Sequence, residues 1–194
     1  MKRTGGVLVA AVILAACVGR NFAPPADLEN ACAIADERPT YLRAMQKSER
    51  KWGVPVAVQM ATIHQESKFV GNARTPRQYA LGIIPTGRQS SAFGYAQALD
   101  GTWDDYRRAT GNRRARRDDI YDATDFIGWY MTQTNARHGV PLYDARNLYL
   151  AYHEGQTGYA RASYRRKPWL MNVAENVASR ANLYNAQLIS CRRA

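Results

Sequence analysis

The chain has 194 residues, 46% of them hydrophobic, which is enough to bury one sizeable core and too few for two ordinary domains. Its 27 Lys and Arg against 16 Asp and Glu give a formal charge of +11, so anionic partners are favoured. The apolar run from Val7 to Ala16 is about half of what a bilayer crossing requires, which argues against a membrane span.

That run, preceded by Lys2 and Arg3, reads as a secretory signal over residues 1–16. It ends in Leu14-Ala15-Ala16-Cys17, which resembles a bacterial lipobox, where cleavage leaves the cysteine as a lipid-bearing N-terminus. Val18 follows instead of the aspartate that suggests inner-membrane retention, so the expected address is the periplasmic face of the outer membrane. An ordinary signal peptide with a chance cysteine is the alternative. Residues 17–26, with Pro24 and Pro25, complete a lipidated tether, and the folded domain is expected over 27–194. Cys32 and Cys191 remain as an even pair in an oxidising compartment, which predicts a disulfide; two buried thiols are the alternative.

From Asp27 the apolar residues recur at helical spacing, with no convincing alternating run, and the fold class is all-α. A first helix holds Cys32. A second starts after Thr40 as N-cap and stops at Gly53, and Pro55 suits the first turn of a third. On that third helix Val56, Met60 and Ile63 make one apolar face, which Glu66 continues. Residues 67–98, rich in Gly, Pro, Ser and Asn, read as a long irregular loop. A fourth helix starts near Thr102 and closes at Gly111. Asp118 and Asp119 open a long helix toward Gly139, Asp144 caps another that ends at Gly155, and Pro168 precedes the last.

A carboxylate that continues a buried apolar face is desolvated, and desolvation holds it protonated toward neutral pH, as a leaving glycosidic oxygen requires. By position alone, Glu66 reads equally as an exposed or capped charge at a helix end. Three motifs add to this, Glu66-Ser67, the segment from Ser91 to Gln97 and the segment from Ala151 to Gly155, and in that order they resemble the lysozyme-like domain of soluble lytic transglycosylases. The first is Glu66-Ser67, with Phe69 and Asn72-Ala73 behind it. The second, Ser91-Ala92-Phe93-Gly94-Tyr95-Ala96-Gln97, is similar to the family's Gly-Leu-Met-Gln segment. The third, Ala151-Tyr152-His153-Glu154-Gly155, is similar to its Ala-Tyr-Asn-Ala-Gly motif.

The resemblance implies a lysozyme-like fold with a saccharide groove, and Glu66 as the sole catalytic carboxylate, acid then base, in non-hydrolytic cleavage of peptidoglycan to 1,6-anhydro ends. It implies that Ser91, Gln97 and the backbone near Gly94 bind acetamido and hydroxyl groups, and that Tyr152 orients Glu66 or the substrate. Tyr95 and Phe93 offer faces for sugar stacking, with core packing as the alternative, and Ser67, His153 and Glu154 join the groove. The departures are His153 and Glu154, where Asn and Ala are usual, and an insertion over 74–90 that would lid or narrow the groove. Glu154 as a second acid would reopen hydrolysis.

The partners implied are glycan strands and, through Cys17, a membrane; a monomer is expected. Nucleic acid is not, since an exported chain seldom meets it. No cofactor is implied, and His64, His138 and His153 form no metal-binding pattern. Two other readings stay open: a hydrolytic muramidase of goose-lysozyme type, and a catalytically idle envelope lipoprotein that binds glycan strands.

Overall fold

The computed structural model describes residues 21–81 and 83–191. The proposed signal segment and Cys17 lie outside the described residues. Asn30 starts the first helix, α1 (Ala31–Glu37), its side chain accepting from the amides of Cys32 and Ala33. The second helix, α2 (Pro39–Trp52), begins earlier than Thr40, because Pro39 occupies the first turn, where a missing N–H costs nothing. It ends as expected at Gly53, in the left-handed region at φ 76°.

The third helix, α3 (Val56–Ser67), is buried on nearly every side rather than on one stripe, so it is the axis of the core. The buried Gln59 there donates its amide N–H groups to the carbonyls of Met45 and Val54 at 3.1 and 2.8 Å. Packed with α3 are α2, α5 (Ile120–His138) and α7 (Pro168–Ser190). The fourth helix, α4 (Asp100–Thr110), starts at Asp100, before Thr102, and reaches the core through Trp103 and Tyr106. Asp125 on α5 ties three helices by accepting from Lys51, Trp52 and Tyr106 at 2.8 to 2.9 Å.

The helix α6 (Ala145–Ala160) begins at Asp144, which accepts from the Asn147 amide, and breaks at Gly155, where φ 74° and ψ 161° lie outside helical space. A 3₁₀ turn over Ser163–Arg166 leads into α7, with Pro168 in its first turn. The fold is all-α and lysozyme-like. Cys32 and Cys191 form a disulfide, with Cα atoms 6.3 Å apart, that joins α1 to the end of α7.

Two features differ from the sequence reading. Within the loop after α3, β1 (Arg77–Ala80) pairs antiparallel with β2 (Ile84–Arg88), and an isolated bridge from Arg74 to Phe93 closes the loop at the base of this hairpin. Residues 22–26, assigned to a tether by composition, lie against the domain. The Phe22 carbonyl accepts from the Gly71 amide at 3.2 Å, and the Ala26 amide donates to Glu37 at 2.8 Å.

Candidate active site

Glu66 sits one residue before the end of α3, deep in the protein yet partly open to solvent. Burial pushes its carboxyl up to about 7, against a smaller downward pull from a Tyr149 hydrogen bond and the Lys68 charge. Both the acid and the carboxylate are therefore populated near neutral pH. Tyr149 and Tyr152 stand one turn apart on α6, on the side that meets Glu66. Tyr149 makes the hydrogen bond, while the Tyr152 hydroxyl donates to the Ala96 carbonyl at 2.6 Å. Burial, and then the charge of Glu66, raises the pKa of both phenols, so both stay neutral donors.

Beside Tyr152 lies a cavity of about 190 Å³, lined also by Gln97, Thr102, Tyr130, His153, Glu154 and Gly155. It adjoins a larger trough of about 680 Å³, with which it shares Thr102, Tyr130 and Gly155, and which continues past Trp129, Gln133 and Arg137. Gln97 is held at positive φ by its own amide, which donates to the carbonyls of Ala73 and Gly94 at 3.0 and 2.8 Å and leaves Oε1 as an acceptor. Trp169, 55% exposed, stands edge-on to His153 with ring centres 5.2 Å apart. The rim thus carries an exposed aromatic surface of the kind that sugars stack against.

Of the residues singled out in the sequence, Gln97, Tyr152, His153 and Glu154 line one cavity. Ser67, Gly94 and Tyr95 instead form the wall behind. The Ser67 hydroxyl donates to the Tyr95 carbonyl at 2.9 Å, which fixes the end of α3 to the 91–97 segment. Gly94 donates its N–H to Ala73, and a Cβ there would fall 2.0 Å from the Arg117 carbonyl oxygen, so only glycine fits. Tyr95 packs in the core, 4% exposed, its hydroxyl 2.9 Å from that of Tyr41. It has no free face for a sugar. Phe93 is covered by the guanidinium groups of Arg74 and Arg117, at 4.2 and 5.4 Å from its ring centre. Ser91 is exposed at the start of α4, where its hydroxyl accepts from the Asp100 amide.

Glu154 has a side chain only 3% exposed, which alone would raise its pKa. Hydrogen bonds from Lys167, Ser163 and His153 outweigh the burial and hold it below the usual carboxylate range. Lys167 Nζ lies 2.6 Å away. Glu154 is thus a locked anion that fixes the 3₁₀ turn to α6 rather than a proton donor. Tyr149 was not singled out in the sequence, although it precedes Tyr152 by one helical turn and so shares its face. Trp169 was missed because nothing local distinguishes an exposed Trp at a helix start from a packed one.

The arrangement is a carboxyl tuned to about 7, one phenol bonded to it, and a polar and aromatic trough alongside. It can give up and recover one proton near neutral pH, and the trough has the length for an extended ligand. Among curated proteins, no sequence matches the chain. A family model, the transglycosylase SLT domain, matches residues 6–191, nearly the whole length. The chain therefore belongs to the transglycosylase SLT domain family, with a lytic transglycosylase-type function on the peptidoglycan of the cell envelope.

Proposed function

We propose that the protein cleaves the β-1,4 bond between N-acetylmuramic acid and N-acetylglucosamine without water, with Glu66 as its one catalytic carboxyl. Protonated Glu66 gives its proton to the bridging oxygen as the bond from C1 breaks, and the muramic N-acetyl group stabilises the cation. The Glu66 carboxylate then takes the proton of the C6 hydroxyl as O6 bonds to C1, which yields a 1,6-anhydro end and restores the acid. The carrying observation is the Glu66 carboxyl, desolvated to about 7 and hydrogen-bonded by Tyr149. A group at that value is acid enough for the first step and basic enough for the second.

Glu154 supports this reading over hydrolysis, since a paired anion held by Lys167 is poorly suited to activating a water. Gln97 Oε1 and the His153 ring are assigned to substrate amide and hydroxyl groups, and Tyr152 to positioning the Ala96 backbone of the same wall. Lipidation at Cys17, anchorage at the periplasmic face of the outer membrane and a monomeric state complete the proposal. Borohydride treatment of the released fragments tests the chemistry. Anhydro ends resist reduction, whereas fragments that take up hydride quantitatively would mean a muramidase.

A further inference from the structure

A second cavity, of about 400 Å³, opens between α3 and α7 on a face of α3 other than that of Glu66. It is walled by His64, Gln65 and Lys68 from one side and by Asn176, Ser179 and Arg180 from the other. His64 is buried, and burial, followed by the charges of Lys68 and Arg180, depresses it to about 4. At neutral pH it is an uncharged ring whose Nδ1 accepts from Lys68 Nζ at 3.3 Å. Arg180 is held by Glu29 at 2.8 Å and lies 5.7 Å from the centre of the Tyr184 ring. Glu29, two-thirds exposed, is the one carboxylate that touches the pocket's cationic groups among the described residues. No ion pair joins Lys68 to a carboxylate among them. The pocket thus presents two basic side chains, four uncharged polar ones and one rim carboxylate, and burial, then the charge of Arg180, draws the Lys68 pKa below its usual value.

Resting on the peptidoglycan reading, we infer that this pocket takes the carboxylate of a peptide substituent on the glycan strand, between Lys68 and Arg180. Its volume exceeds what a single inorganic anion fills and suits one or two amino-acid residues. Ala61, Val177 and Leu183 supply apolar wall for a small side chain beside the cations. Lys68 lies two residues beyond Glu66, and its charge is felt there.

The test compares strands that carry their peptides with strands stripped of them by an amidase, as a ratio of kcat/KM values. The wild type should prefer peptide-bearing strands by about tenfold, the scale of one charge-assisted hydrogen bond. Lys68→Met and Arg180→Gln should each bring the ratio close to one, and any general effect on Glu66 cancels in it. An unchanged ratio in both variants, or no wild-type preference, overturns the inference. Titration of the free tetrapeptide and of inorganic phosphate into the Glu66→Gln protein needs no turnover. Tetrapeptide binding lost with Lys68→Met supports the pocket even if no strand is cleaved, whereas equal binding of phosphate makes it a general anion site and overturns the peptide assignment.

Discussion

A carboxyl whose pKa rises on folding destabilises the protein as it ionises. Glu66 stands at about 7 in the fold, against 4.5 for the free group. Below the lower value both states hold the proton. Between the two the folded state binds more, so stability falls as pH rises through this window. Glu66→Gln keeps the shape and removes the charge. It should match the wild type in thermal unfolding at pH 4 and exceed it at pH 8 by roughly 1–3 kcal/mol. Equal melting at pH 8 would mean that the carboxyl is well solvated. Tyr149→Phe removes the hydrogen bond that favours the carboxylate. The Glu66 pKa should rise further, moving the acid-to-base crossover in the pH–rate profile upward, and turnover at neutral pH should fall about tenfold, as for loss of a hydrogen bond to a charged group. At this scale the sequence pointed to Glu66 through its place on an apolar face and to Tyr152 through its motif. Tyr149 was legible only as a second aromatic at i−3. The ion pairs of Glu154 were not legible, because Lys167 and Ser163 approach it through the turn after Gly155.

Helix ends carry local signals, and those were read well where one residue decides them. Gly53, Gly111 and Gly139 all take the left-handed conformation that ends a helix. Asp119 and Asp144 cap with their own side chains. Thr40 and Thr102 misled because Pro39 and Asp100 extend those helices backward without a side-chain cap. The hairpin was read as loop because its strands are short, four and five residues, and their register shifts at Gln78/Tyr79, which spoils any alternation. Leu81 and Ile83 at its turn are 90% and 79% exposed, and the strands pack chiefly on each other. Removing residues 77–88 and joining the flanks with two glycines should leave the melting temperature within about 3 °C of the intact protein. The bridge from Arg74 to Phe93 already closes the loop below the hairpin. A loss of far more than that would show the hairpin to be part of the core's support. Gly94→Ala, in the same loop, should cost about 3 kcal/mol or more, because it combines a backbone clash with φ +81°. Chemical denaturation measures it.

The described molecule is a buried helix, α3, wrapped by its neighbours and closed by the disulfide that joins α1 to the end of α7. The disulfide spans 159 residues, so on the chain-entropy model its reduction releases about 5 kcal/mol of unfolded-state freedom. Reduced protein should melt about 10 °C or more below oxidised protein in calorimetry, at the few degrees per kcal/mol usual for this size. The pairing was legible because two cysteines were left once Cys17 was assigned elsewhere. The all-α class was legible from periodicity over most of the chain, while the trough, assembled from α4, α5, α6 and the 91–97 segment, depends on tertiary packing that no local pattern encodes. What the assembly achieves is to hold one carboxyl at the boundary between acid and base beside a site for an extended ligand. Mass spectrometry of fragments released from purified peptidoglycan by residues 27–194, with Glu66→Gln as control, tests that directly. Fragments one water lighter than hydrolytic products, and absent from the control, are the expected result; fragments of hydrolytic mass, or equal release by Glu66→Gln, would contradict it.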